Sequence, residues 1–251
     1  MPESRSSRAI VLRWRAYGES DKIATLLTEE FGKLTGIAKG AKNSRRRFAN
    51  SLEPLARVRV RFRQKPTANL AFLESAELLT STAALSDPPR FAYASYLAEL
   101  ADQLTLEDDP VPGLYALLDE ALQEVERGPA TTAFLRAFEL QLLTRAGFEP
   151  QLECCARCER TWDSGEPAHL SVSHGTLACG RCRGQDAAVA IDAAVLPLLA
   201  DLKRMPLAAC RDHALGPLAR DAAQLTGRLL ALHLARPLRS VKLIEQVVGA
   251  S

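Results

Sequence analysis

The spacing of apolar residues changes close to Pro88 in this 251-residue chain, and the change constrains the fold strongly. Before Pro88, apolar residues alternate with polar ones, which is the period of a half-buried β-strand. After it, apolar residues recur at intervals of three and four, which is the period of an amphipathic helix. We therefore predict an α+β protein of more than one domain, with strands first and helices second.

Five candidate strands lie in the first 80 residues. The clearest is 56–64, where Val58, Val60 and Phe62 alternate with arginines. The other four are 9–17, 22–28, 33–39 and 69–78, although 22–28 could also form a short helix. Five short strands separated by turn residues are typical of a small closed or nearly closed barrel. We predict a five-stranded OB-fold β-barrel over residues 1–80.

The remainder of the chain carries helical patterns, at 91–106, 113–128, 131–147, 193–205 and 217–236. Asp87 and Thr131 stand where N-caps are expected, and Gly128 and Gly147 stand where helix ends favour glycine. We predict an α-helical domain formed by residues 81–149 and 186–251. Residues 150–185, which interrupt it, have a different pattern.

That interruption contains two C-x-x-C pairs, Cys155 with Cys158 and Cys179 with Cys182, separated by 20 residues. Each turn brings two thiolates to one side, and two such turns complete the tetrahedral set of sulfur ligands that Zn²⁺ prefers. We predict one structural zinc ion in a module spanning 150–185. Cys154 is a rival to Cys155, because C-x3-C is also a known ligand spacing.

Two further alternatives apply to this region. His169 and His174 lie between the pairs and could replace a cysteine, although the ordinary interpretation is that both are exposed loop histidines. A redox dithiol is the other alternative for either pair, and two pairs at this distance argue against it.

No catalytic constellation is evident. Four cysteine ligands close the shell of a zinc ion, whereas a catalytic zinc keeps an open position for water. The sequence lacks the P-loop, dinucleotide-binding and serine-hydrolase motifs. The acidic run at 107–109 is best interpreted as solvated linker carboxylates. We expect a protein that is not an enzyme; the alternatives are a zinc-dependent nucleic-acid-modifying enzyme and a DNA-binding regulator.

Charge is distributed unevenly. Residues 1–65 contain 16 Lys and Arg against 6 Asp and Glu, so the other residues carry 16 against 24, and the net charge is only +2. A basic end on an acidic body indicates a polyanionic partner, most often nucleic acid. The chain has neither an apolar run long enough to span a membrane nor a secretory signal, so we expect a cytoplasmic, nucleoid-associated protein.

The basic end has two concentrations of charge, a segment between the third and fourth strands and the outward face of 56–64. Alternate arginines alone could be the solvated face of a half-buried strand. Strand and segment together predict a groove that follows a phosphate backbone, with the segment as a flexible loop. The predicted DNA-binding residues are Lys39, Lys42, Arg45, Arg46, Arg47, Arg57, Arg59, Arg61, Arg63, Arg13 and Arg15.

Three stretches resemble the RecO family of recombination mediators. The first is IVLRWRAYGESDKIATLLTEEFGKLTGIAKGAK, which has that family's Y-G-E-x-D turn, T-E-x-x-G-K hairpin and A-x-G-A-[KR] element. The second is FEPQLECCARC, which resembles a P-x-L-x-x-C-x-x-C knuckle and favours Cys155 over Cys154. The third is LHLARPLRSVKLI, which resembles the family's terminal helix segment. One departure is Glu159, where the family has glycine.

The resemblance implies an N-terminal OB-fold, a helical body and a zinc-binding insertion. It also implies a role that needs no active site. Proteins of that family bind single- and double-stranded DNA and anneal complementary strands. With the partner RecR, they help to load the RecA recombinase on DNA coated by single-strand-binding protein. Annealing requires that phosphate repulsion be screened while bases stay free, which a groove of arginines provides.

Overall fold

A computed structural model describes residues 3–65, 68–80, 82–162, 165–184 and 188–248. The chain forms two compact units, one of residues 1–128 with 238–251 and the other of residues 129–237. The three-part division into residues 1–80, 81–149 with 186–251, and 150–185 follows changes in sequence pattern and stays a prediction.

Five strands form a closed barrel in the first unit. They are β1 (Arg5–Tyr17), β2 (Asp21–Thr28), β3 (Gly32–Ala38), β4 (Arg57–Arg63) and β5 (Ala71–Thr80). Their order around the barrel is β1-β2-β3-β5-β4, with β4 returning to β1. All pairs are antiparallel except β3 with β5. The predicted five-stranded OB-fold barrel is confirmed.

The first strand begins four residues earlier than its apolar alternation predicts. Arg5–Ile10 pair with Phe62–Arg57 of β4, and the later part of the strand pairs with β2. A bulge between Val11 and Arg13 interrupts the pairing with β2, whereas Ala9 and Ile10 pair with both β2 and β4. The start of β1 is fixed by this long-range pairing and not by its own pattern, because Arg5, Ser6 and Ser7 have no apolar alternation to mark them.

Apolar side chains fill the barrel. Val58, Val60 and Phe62 point inward from β4 together with Leu26 and Leu34 of the hairpin. The Phe31 ring contacts the edge of the Phe62 ring, with centroids 5.4 Å apart. Close packing also requires a glycine in β3. A Cβ on Gly36 would lie 2.6 Å from a methyl carbon of Leu73.

Helices α1 (Pro88–Leu104), α2 (Leu114–Arg127) and α7 (Arg239–Val248) accompany the barrel in the first unit. Asp87 caps α1 through the backbone N–H of Arg90, as predicted. The Glu99 carboxylate accepts the N–H groups of Arg239 and Ser240, which caps α7 from another helix. A buried Lys33 ammonium donates to the Asp102 carbonyl oxygen at 2.6 Å and ties the barrel to α1.

The second unit contains α3 (Thr132–Arg145), α4 (Val195–Arg204), α5 (Leu207–Cys210) and α6 (Ala219–Ala231). Thr131 caps α3 through the N–H of Phe134, as predicted, and Phe134 and Phe138 of this helix are fully buried. The pattern at 217–236 overestimated α6, which is preceded by a 3₁₀ turn and ends at Ala231.

Between α3 and α4 the chain forms a small antiparallel sheet that the sequence pattern did not reveal. Its strands are β6 (Ala168–Ser171), β7 (Leu177–Ala178) and β8 (Ala188–Ile191), in the order β7-β6-β8. We call residues 150–184, with β8, the thiol module. Among the described helices of the chain, none has the length and apolar character needed to cross a lipid bilayer.

Candidate nucleic-acid interface and metal centre

The arginines of β4 alternate around the barrel wall as predicted, but they have different surroundings. Arg59 lies opposite Arg8 of β1 and Glu77 of β5, and Arg61 lies opposite Ser6 and Ser75. We call these six residues the open barrel face. The side chains of Arg59 and Arg61 are exposed, and neither forms a hydrogen bond or a close ion pair within the described parts of the chain.

The arginines at the two ends of β4 are held by acids. Arg63 Nε lies 2.5 Å from Glu74 Oε1. The Ser4 hydroxyl, which donates to Glu74 at 2.5 Å, lowers the pKa of that carboxyl despite partial desolvation, and the charges of Arg63 and Arg61 lower it further. Glu74 therefore stays ionised beside these arginines and offsets part of their charge.

Arg57 lies inside the first unit. Its side chain is 6% exposed, with Nε 2.5 Å from Asp119 Oδ1 and Nη1 2.7 Å from Glu126 Oε1 of α2. A guanidinium held by two largely buried carboxylates is not presented to solvent, so Arg57 lies apart from the open barrel face. The sequence could not separate it from Arg59, because its partners are more than 60 residues away.

Arg13 and Arg15 lie beyond the region where β1 pairs with β4. Arg13 Nε is 2.7 Å from Asp102 Oδ2, and the side chains of Arg13 and Arg15 are both exposed. Since Arg59 is opposite Arg8, Arg15 is seven residues further along β1, or roughly 20 Å at the rise of a strand. The structure thus separates these two arginines from the open barrel face.

The basic segment at residues 39–47, the cationic segment, follows β3. Arg45 and Arg46 are exposed and have no partner within the described residues. Lys42 Nζ donates to the carbonyl oxygens of Gly18 and Glu19, and Arg47 Nη2 donates to the Lys39 carbonyl at 2.8 Å. Lys39 is exposed.

The cationic segment is anchored, which corrects the expectation of a flexible loop. The Gly40 N–H donates to the Asp21 carboxylate at 2.8 Å, and this bond lowers the pKa of Asp21. The Arg47 carbonyl accepts the N–H of Ala76 in β5. Phe48, the aromatic residue that follows Arg47, is 3% exposed and belongs to the barrel core with Leu52.

These contacts put the cationic segment next to the open barrel face. The N–H of Ala76 in β5 donates to the Arg47 carbonyl on one side of the strand. On the other side of β5, Ala76 lies opposite Val60 of β4. Neighbouring strands lie about 4.8 Å apart, so the backbones of β4 and of the segment are about 10 Å apart across β5. Two adjacent stretches of one surface therefore each carry two unpaired arginines, Arg59 with Arg61 and Arg45 with Arg46.

The four cysteines of the C-x-x-C pairs come together in the thiol module. The sulfur atoms of Cys155, Cys158, Cys179 and Cys182 lie within 4.8 Å of one another. Cys154 lies outside this group and accepts a hydrogen bond from Gln151. His174 is exposed in a turn, but His169 lies on β6 with only 9% exposure, so its interpretation as an exposed loop residue was wrong.

Hydrogen bonds from backbone N–H groups stabilise the thiolate form of cysteines in this cluster. Burial raises the pKa of the Cys155 thiol, but the N–H groups of Cys179, Cys158 and Arg157 outweigh it and lower the pKa to about 6. Burial also raises the pKa of Cys179, but hydrogen bonds, mainly from the N–H of Cys182, outweigh it and lower that pKa. The neighbouring thiols Cys158 and Cys179 raise the pKa of Cys182 to about 12. Such a set favours a bound cation that holds the thiolates together.

The turn of the first pair keeps its shape without glycine. Glu159, which follows Cys158, has a φ of 59°, in the left-handed region that glycine adopts freely. Its N–H donates to the Cys155 carbonyl at 2.9 Å. The departure from the family pattern therefore leaves the turn intact and puts strain on one residue.

Fold and site together define a class, namely α+β proteins with an OB-fold barrel, a helical region and a four-cysteine cluster that could hold a metal ion. Models of "Recombination protein O N terminal" and "Recombination protein O C terminal" match residues 1–82 and 85–242. The chain belongs to the RecO family of DNA repair proteins.

Curated relatives agree along nearly the whole chain. The DNA repair protein RecO of Anaeromyxobacter sp. (strain K) is 36% identical over 241 residues, which cover 95% of this chain and 94% of that protein. The DNA repair protein RecO of Myxococcus xanthus is 36% identical over 245 residues, 95% and 96% of the two chains. That of Syntrophus aciditrophicus is 31% identical over 253 residues, 97% and 96%.

Proposed function

We propose that this chain is a recombination mediator that binds single- and double-stranded DNA and anneals complementary strands. The observation that carries the proposal is the adjacency of the unpaired arginines of the open barrel face to those of the cationic segment. Exposed guanidiniums neutralise phosphates without reading bases, so the base edges stay free to pair.

Membership of the family supports three partners. The chain acts with RecR, engages DNA coated by single-strand-binding protein and helps to load RecA, in the cytoplasm at the nucleoid. None of these steps requires catalysis by this chain. The metal is one zinc ion held by Cys155, Cys158, Cys179 and Cys182, which are the soft ligands that zinc prefers. It supplies folding energy to the module and no chemistry to DNA.

The test is a salt titration of single-strand binding. Arg59→Gln with Arg61→Gln removes two phosphate contacts, and each contact contributes about 0.7 to the slope of log affinity against log salt. We expect the slope to become shallower by about 1.4 and annealing without nucleotide to slow. The matched control is Arg220→Gln with Lys242→Gln, which removes two exposed charges from helices.

An unchanged slope in the Arg59 and Arg61 variant, with the control also unchanged, refutes the barrel interface. Annealing that requires a nucleotide or a divalent cation instead favours the enzyme alternative. Binding of RecR is measured separately with the same variants, because an intact RecR complex shows that the two substitutions act on DNA alone.

A further inference from the structure

A cavity of about 330 Å³ lies in the thiol module, and the DNA interface proposed above does not use it. Three strands, a turn and residues next to both cysteine pairs contribute to its wall. The side chains that bear on its chemistry are those of Arg157, His169, Ser171, His174, Thr176 and Arg183.

Each cysteine pair brings one arginine to this cavity. Arg157 stands between Cys155 and Cys158, and Arg183 follows Cys182 directly. The Arg183 N–H donates to the Cys179 carbonyl at 2.9 Å, so its backbone is part of the second cysteine turn. The cluster that gathers the four thiols therefore also brings two guanidinium groups to the same cavity.

The small sheet of β6, β7 and β8 forms one side of the cavity. His169 and Ser171 are two residues apart on β6 and so project from one face of the sheet. Ala178 lies opposite His169, and Ala188 lies opposite Ser171. These small neighbours leave the space above the two polar side chains unfilled.

His169 brings a polar ring to the cavity wall. It is 9% exposed, it lines the cavity, and its ring has no hydrogen-bond partner in the described parts of the chain. The ring nitrogens keep access to the cavity, so they can bind a group that enters it. No carboxylate is among the described lining residues, so an anion meets no opposing charge from them.

We propose that this cavity binds a phosphate group, with the guanidiniums of Arg157 and Arg183 as its charged donors. Guanidinium matches phosphate oxygens in charge and in geometry, and the hydroxyl of Thr176 adds a neutral donor. We assign the phosphate to the backbone of a DNA strand. This assignment of source rests on the proposed function, whereas the phosphate site itself does not.

The site gives annealing a second place of contact. A protein that brings two strands together has to screen phosphates of both, and the open barrel face is one surface. Since both arginines belong to the cysteine turns, removing the metal should abolish the second contact.

The test uses the full-length protein with ¹³C-labelled histidine and follows ring resonances by NMR. The chain has four histidines, and His213 does not line the cavity, so it serves as an internal reference. Inorganic phosphate is titrated at constant pH and ionic strength. We expect saturable shifts of His169 and His174 with His213 unmoved.

Two variants accompany the titration. Arg157→Gln with Arg183→Gln should weaken phosphate binding by about tenfold or more, since a hydrogen bond to a charged group is worth about that factor. Arg181→Gln is the matched control, because Arg181 is an exposed arginine of the same cysteine turn that does not line the cavity. Metal content is measured in both, so that loss of the fold is recognised.

A second arm identifies the source. A thymidine oligonucleotide is titrated into protein that carries Arg59→Gln and Arg61→Gln, and we expect the same His169 shifts. Shifts with inorganic phosphate alone overturn the assignment to DNA and leave a site for free phosphate. Absence of saturable shifts with either probe, at wild-type metal content, overturns the site itself whether or not the barrel binds DNA.

Discussion

At the scale of single residues, identical side chains on one strand have different roles. Arg57, Arg59 and Arg61 alternate without distinction in the sequence. Register and partners separate them, because the first meets two acids of α2 and the other two meet solvent. Arg59 and Arg61 fit both interpretations of the strand, as a solvated face and as part of a DNA-binding groove. Arg57 fits neither.

Replacing Arg57 should therefore destabilise the first unit. Arg57→Met removes the close cation from Glu126 and from Asp119, which keeps only Arg8 at 3.9 Å, and breaking a buried ion pair costs about 3–5 kcal/mol. Arg59→Gln, at an exposed site, should change stability by about 0.5 kcal/mol at most. Urea unfolding is followed by Trp14 fluorescence in a Trp162→Phe background, since the chain has two tryptophans. Equal midpoints for the two variants contradict the burial of Arg57.

The strain at Glu159 gives a prediction of the opposite sign. Glu159→Gly should stabilise the thiol module by about 1 kcal/mol, because a left-handed conformation costs about that much for a residue with a Cβ atom. Glu159→Ala keeps the Cβ atom and should show no such gain. The reporter is Trp162 in a Trp14→Phe background, whose indole N–H donates to the Leu152 carbonyl at 2.7 Å. A gain from alanine equal to that from glycine argues against backbone strain.

At the scale of elements, the cationic segment is joined to a stretch that packs inside the barrel. Phe48 and Leu52 are buried, although they follow five cations closely in the sequence. The stretch therefore has exposed cations at its start and residues of the barrel core at its end. Its arginines are held on a fixed backbone and do not move freely over the surface.

This arrangement separates stability from charge within one segment. Phe48→Ala should destabilise the barrel by about 3–5 kcal/mol, as expected for truncation of a buried aromatic residue. Arg45→Ala with Arg46→Ala should leave stability within about 0.5 kcal/mol and weaken DNA binding. The same Trp14 measurement compares them. A large loss of stability in the double arginine variant means that these side chains pack and are not available to phosphate.

The thiol module gives a prediction about metal. The purified protein should hold about one zinc ion, Cys155→Ser should lose it, and Cys154→Ser should retain it, because only Cys155 lies with the other three sulfur atoms. Metal content by elemental mass spectrometry distinguishes the two. Chelation should unfold the module, since too few apolar residues are buried there to hold it without the metal. Zinc retained by Cys155→Ser and lost by Cys154→Ser reverses the assignment.

Sequence pattern predicted the elements that carry their own signal. The alternation of β4, the caps at Asp87 and Thr131 and the paired cysteines are local, and the structure has all of them. Features set by distant partners were missed, such as the start of β1, the ion pairs of Arg57 and the anchoring of the cationic segment. The strands β6 to β8 have two to four residues each, too few to display a period.

At the scale of the whole molecule, positive charge is gathered in the barrel and negative charge in the helical stretch after it. Residues 1–65 carry +10, whereas residues 81–130 contain 10 acids and 2 arginines. A net charge of +2 therefore says little about affinity for DNA. The field at the surface that a strand touches decides that affinity, because screening at physiological salt limits each charge to about 8 Å.

Because each charge acts only over this short range, two variants with equal and opposite changes in net charge should differ in their effect on DNA binding. Glu120→Gln with Asp109→Asn raises the net charge by two at exposed acids outside the barrel. Because these acids lie outside the interface, we expect less than about a twofold gain in single-strand affinity and an unchanged salt slope. Arg59→Gln with Arg61→Gln lowers the net charge by two and should make the slope shallower by about 1.4. Fluorescence anisotropy of a labelled oligonucleotide over a range of salt measures both. If the two variants change affinity by equal and opposite factors, DNA responds to the total charge of the protein, and the open barrel face has no special role.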